Sequence, residues 1–290
     1  MEPGGEREEP ASGELRPLGW DEVLPPLDQE KPTGDAKGEA SGALVDSQPT
    51  PRWQEPEIAW PIAVLTGFLG SAIGAKLGIP LAGTLLPLLL FAPLYLALVI
   101  RHRLLLAALT SLGWLVAIGA GMAGAVLEAS FDEVAAVSPG ALAFRDAQIR
   151  PWLESGVGDP LGSPMLIHFG LGLVVLLAAR VSVGVLALGI LAFTTTGIGA
   201  GLGWFATEAL SMEPVWACLL AIPPHRALAF AGLLGLTAAL ADRRPLSPVA
   251  ELTDHRRELL LAGAALFGLG ILLEPLLVPG WGSWLAEAVG

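Results

Sequence analysis

The chain has 290 residues, of which 53% are hydrophobic and 15% charged, and carries a formal net charge of -12. Its single cysteine, Cys218, excludes an internal disulfide and a cysteine-based metal site. From residue 58 onward, apolar runs of about 20 residues recur, the length that crosses a bilayer's hydrocarbon core as a helix, without the short alternating segments of a barrel. The predicted fold class is therefore all-α: a polytopic helical membrane protein with about seven transmembrane helices and a disordered acidic N-terminal tail. The lipid bilayer is its first partner, and no nucleic-acid partner is expected.

Residues 1–57 hold 14 acidic residues, 5 basic residues and nine prolines. Such a segment buries too little apolar surface to offset its ordering entropy, so it reads as a disordered, Pro-rich cytoplasmic tail. It has no basic n-region or apolar h-region and is not a secretory signal. It is either a solvated leader or a docking tail for a basic partner.

Two additional N-terminal transmembrane helices follow in residues 58–100. The first, 58–79, carries Gly70, Gly74 and Gly78 on one face, a spacing that lets helix backbones approach closely in lipid. The second, 80–100, contains Pro87 and Pro93 and is predicted to kink. "RHR" at 101–103 turns the chain into a five-helix membrane domain, 101–290, whose first span is 104–127. A polar extracytoplasmic segment, 128–164, comes next. Within it Ser138 and Pro139 read as the start of a short helix that Pro151 stops. Residues 165–207 fit two spans joined at "ARVSVG". The sixth span, 214–241, holds the motif "IPPHR". Because Pro223 and Pro224 disfavour mid-helix, the chain is predicted to break there, with a helix of about 16 residues running from Arg226 to Asp242. The seventh span is 259–278.

Arg101, Arg103, Arg180, Arg243, Arg244, Arg256 and Arg257 all fall on one side of this scheme, which sets the N-terminus in the cytoplasm and the C-terminus outside the cell. The predicted location is the bacterial inner (cytoplasmic) membrane. Ionisable residues inside spans are costly and mark sites. Lys76, His168, His225, Arg226 and Glu274 all lie toward the outer leaflet, so with Pro224 they form the candidate substrate or partner groove. Arg226 is the expected partner of Glu274. His168 and His225 lack metal spacing, and neither a metal nor a cofactor is expected. "TTTG" at 194–197 reads as helix-packing hydroxyls. No span contains Asp, and H-E-x-x-H and G-x-S-x-G are absent, so no catalytic residues and no enzymatic activity are predicted.

Residues ~104–280 resemble the stage II sporulation protein M family of integral membrane proteins. The likeness lies in the Gly-rich paired spans "ARVSVGVLALGILAFTTTGIGAGLG", the Pro224-His225 motif in "LLAIPPHRALAFAGLLG", the basic loop after it, and the acid Glu274 near the end of "LLLAGAALFGLGILLEPLLVP". Arg226 and Ala229 stand where that family has a glycine and an acid. The resemblance implies a non-enzymatic scaffold in a cell-envelope complex, with a membrane or periplasmic protein as partner. The alternative reading is the membrane subunit of a permease, handling a substrate or proton at Arg226 and Glu274 and served by a cytoplasmic ATPase.

Overall fold

Prolines and glycines, rather than charged residues, punctuate this chain. The computed structural model describes residues 51–146, 163–209, 224–241 and 253–289, with Arg150, Glu213, Trp216 and Ile222 between them. The predicted acidic tail up to residue 50, Cys218 and the arginines at 243 and 244 lie outside the described residues. Among the described residues there are nine α-helices and no strand.

Helix α1, Pro56–Lys76, starts with a proline in its first turn, where the missing N–H costs nothing. The short 3-10 turn Arg52–Gln54 precedes it, and the Gln54 carbonyl accepts a hydrogen bond from Arg103 Nη1 at 3.1 Å. Helix α2 is Ala82–Ile100 and α3 is Leu104–Glu128. The three glycines of α1 divide their labour. A Cβ on Gly70 would lie 2.8 Å from Pro87 Cα, and one on Gly74 would lie 2.6 Å from Gly83 Cα, so these two bring α1 against α2. Gly78 meets nothing; its φ of +67° serves the turn between the helices instead. Both internal prolines of α2, Pro87 and Pro93, are accommodated within one continuous helix. Trp114 of α3 is fully buried and stacks on Phe91 of α2, ring centroids 4.7 Å apart.

After α3 come two short helices, α4 (Phe131–Val137) and α5 (Pro139–Phe144). Ser130 caps α4 by accepting from the Glu133 N–H at 3.3 Å. Ser138, the predicted cap of the second, makes no such bond. Neither helix simply covers the ends of the longer ones. The Val137 carbonyl accepts from the Leu81 N–H at 3.0 Å, and Gly140 packs backbone to backbone on Gly197.

Helix α6, Ser163–Val181, and α7, Val185–Glu208, are joined by a turn at 182–184, as "ARVSVG" predicted. Val183 and Gly184 both have positive φ there, and the Tyr95 ring lies against Gly184, leaving no space for a side chain. Helix α7 is the centre of the bundle, packing on α2, α3, α5 and α6. Its contact with α3 is a small-residue seam: a Cβ on Gly199 would lie 2.8 Å from Gly119 Cα, and one on Gly203 2.8 Å from the Ala123 carbonyl. A hydroxyl pair, Thr84 and Thr196 at 3.2 Å, links α2 to α7.

Helix α8, Pro224–Leu240, begins at the second proline of the motif, close to the predicted start. It packs along α9, Asp254–Val289. Gly232, Gly263 and Gly270 form the crossing, and Arg256 completes its far end by donating to the carbonyls of Ala239 (3.2 Å) and Ala241 (2.6 Å). The arginine-bearing turns after α2 and α6, the end of α8 and the start of α9 share one end of the bundle: Tyr95, near the end of α2, touches Gly184 and is electrostatically coupled to Arg256.

Five of the described helices are long and apolar enough to cross a membrane: α1, α2, α3, α7 and the Asp254–Leu277 part of α9. The expected count was seven. The difference lies in α6, whose described apolar stretch is Phe169–Val181, and in α8, whose 17 residues span about 25 Å against the roughly 30 Å of a hydrocarbon core. Leucines such as Leu89, 71% exposed, point outward from these helices, which suits lipid rather than water. The long apolar helices and their apolar outer faces mark a membrane protein.

Candidate functional site

The start of α8 and the middle of α9 meet at a polar cluster. Pro224 begins the helix, so His225 and Arg226 fall in its first turn, while Ala229 lies one turn further on. Opposite them on α9 stand Gly270, Ile271 and Glu274, and the six residues from His225 to Glu274 line one small cleft of about 10 Å³, the room of a single water. Gly270 makes this closeness possible, since a Cβ there would lie 2.6 Å from the His225 carbonyl and 2.7 Å from the Ala229 nitrogen. His225 is 1%, Arg226 8% and Glu274 6% exposed. Arg226 and Glu274 interact electrostatically, as the sequence suggested. Phe144 of α5 covers the other side of the arginine, with the guanidinium carbon 5.9 Å from its ring centre.

Opposite charges buried in one cluster are held by geometry as much as by attraction, because both lose their hydration. The aromatic face of Phe144 contributes a further favourable contact to a cation withdrawn from water. The cluster therefore ties three elements, α5, α8 and α9, at one point. Nearby, Arg145 donates from Nε to Asp146 at 2.8 Å, and this hydrogen bond holds the Asp146 carboxyl below the usual carboxylate range.

The six predicted groove residues divide. His225, Arg226 and Glu274 come together, and Pro224 is the exposed residue that sets the helix start beside them. Lys76 instead ends α1 with an ion pair to Glu128 at the end of α3, both side chains well exposed. His168 lies on α6, and its side chain is outside the described residues. Two participants were missed. Gly270 carried a readable signal, lying seven residues after Gly263 and four before Glu274 on one face of α9. Phe144 carried none, since only the path of α5 brings it to Arg226.

Among the described residues no group of three or more His, Cys, Asp or Glu side chains converges on a point where a metal could sit. No protein-family model matches the chain, and no curated protein or solved structure matches it either.

Proposed function

We propose that the chain is a non-enzymatic integral membrane scaffold or assembly partner in a cell-envelope complex. Its setting in this reading is the bacterial inner membrane, N-terminus in the cytoplasm and C-terminus outside, because the basic turns then face the cytoplasm. The observation that carries the reading is the packing of the polar cluster. A cleft of about 10 Å³ between His225, Arg226, Ala229, Gly270, Ile271 and Glu274 holds about one water, whereas small-molecule sites occupy roughly 300–1,000 Å³. The costly charges join helices, and what they shape is the outer surface made by α4, α5 and the start of α8. The resemblance to the stage II sporulation protein M family supports the same reading and implies a membrane or periplasmic protein as the partner.

One observation favours the second reading, a permease subunit: ionisable groups from two helices are buried at membrane depth, where substrate and proton pathways use them. The double variant R226M/E274M separates the two. It replaces the ion pair with apolar side chains of similar length, so a scaffold keeps its partner in co-purification. A permease with intact folding loses its transport and keeps its ATPase. Loss of a transport activity from the folded double variant would contradict the scaffold reading.

A further inference from the structure

Turns are usually built from Gly, Pro, Asn, Asp or Ser. The turn between α1 and α2 reads "LGIPL", residues 77–81, and sets three large apolar residues beside its glycine and proline. The whole turn is exposed, with Leu77 at 54% and Ile79 at 57%. It lies at the end of the bundle away from the arginine turns, since α1 begins beside Arg103 and ends here. Lys76, the residue before it, pairs with Glu128, and both side chains are exposed. An exposed ion pair belongs among water and headgroups, so the turn that follows it is beyond the acyl chains. Apolar side chains there meet water unless a partner covers them.

The turn is also held in one shape. Gly78 and Leu81 have φ of +67° and +66°, and the Leu81 N–H donates to the Val137 carbonyl at the end of α4 at 3.0 Å. A rigid apolar knob loses little freedom when something lands on it. Helix α4 sets charge beside the knob. Asp132, Glu133 and Ala136 share its exposed face, and Glu133 is one turn, about 6 Å, from Val137. Among the described residues no basic side chain pairs with Asp132 or Glu133: Lys76 is taken by Glu128, and Arg145 and Arg150 by Asp146. We propose that this turn, with Ile79 at its tip, is the docking knob for the scaffold's protein partner, which covers it with an apolar segment carrying Lys or Arg opposite Asp132 and Glu133. Carboxylates at the rim select positive charge in what reaches the apolar centre, and they repel anionic lipid headgroups. The knob presupposes the scaffold reading and gives the chemistry of its partner.

The test uses the full chain in its native membrane, with the photoreactive residue p-benzoylphenylalanine placed at Ile79 or, as a lipid-facing control, at Leu89. Cross-linked peptides are sequenced by mass spectrometry. Ile79 should capture one apolar protein segment of net positive charge, while Leu89 captures lipid. Asp132→Asn made together with Glu133→Gln should lower the Ile79 yield about fivefold, the worth of two exposed charge pairs, and added salt should lower it in the parent. Capture at Ile79 of lipid, of a second copy of this chain, of its own residues 147–162 or of a segment without net positive charge would overturn the knob. So would a yield indifferent to the two acid substitutions. If a partner co-purifies while Ile79 captures lipid alone, the knob falls and the scaffold reading stands; a chain that purifies alone removes both. Leu77 carries the probe if position 79 does not tolerate it.

Discussion

Helix α9 offers a matched pair of glycines two residues apart. A Cβ on Gly270 would lie 2.6 Å from the His225 carbonyl oxygen, 2.7 Å from the Ala229 nitrogen and 2.9 Å from Ala229 Cβ, and two of these are backbone atoms that cannot rotate away. Reaching ordinary contact at about 3.5 Å requires α8 and α9 to part by close to 1 Å at the polar cluster. Overpacking of this kind costs about 1–3 kcal/mol, and Gly270→Ala recovers at most ~1 kcal/mol of helix propensity. Gly268 meets nothing within 4 Å, so Gly268→Ala gains the propensity without the clash. Thermal unfolding in detergent, followed by tryptophan fluorescence, should show Gly270→Ala below the parent and Gly268→Ala at or above it. The expected gap is about 2 kcal/mol, or roughly 4–8 °C for a domain of this size. Equal midpoints, or the reverse order, would refute the claim that Gly270 is there to let the helices meet.

Removing one member of the buried ion pair, by Glu274→Gln or Arg226→Gln, should destabilise by about 3–5 kcal/mol, while R226M/E274M recovers most of the loss; the same unfolding assay reads both. Arg256→Ala takes the guanidinium from the Ala239 and Ala241 carbonyls and should cost about 2–3 kcal/mol, with faster amide exchange confined to the end of α8. Thr84→Val breaks the hydroxyl link to Thr196 and should cost only about 0.6 kcal/mol, the usual worth of such a bond in lipid. Lys76→Gln removes an exposed ion pair with Glu128 and should change the midpoint by less than about 1 kcal/mol, a change that added salt erases.

The apolar helices were legible from sequence, and direction around each helix was not. Apolar run lengths and the turn residues "RHR" and "ARVSVG" located the boundaries of α1, α2, α3, α6 and α7 to within a few residues, and Pro223-Pro224 marked the start of α8, whereas α9 runs from Asp254 to Val289 where 259–278 was expected. Lys76 was read as lying near the end of a span 58–79, and it is the last residue of α1, but at 100° per residue its facing is set by how α1 packs, and that packing turns it to Glu128. Arg226 and Glu274 were legible as a pair because two buried charges on neighbouring spans need each other. The short helices were half legible: Ser138-Pro139 marked a helix start, yet their seat on α7 depends on Gly140 finding Gly197, a contact between residues 57 apart that no local pattern announces. Gly78 misled for a related reason, since the same spacing serves packing at Gly70 and Gly74 and a turn at the third position.

The scaffold reading stands or falls on what the protein holds. Purifying the tagged full chain from its native membrane in mild detergent, and identifying co-purifying proteins with their stoichiometry by mass spectrometry, tests it most directly. The account predicts a membrane or periplasmic envelope protein present at about one copy per chain. A cytoplasmic ATPase at that stoichiometry, or a chain that comes down alone, would contradict it.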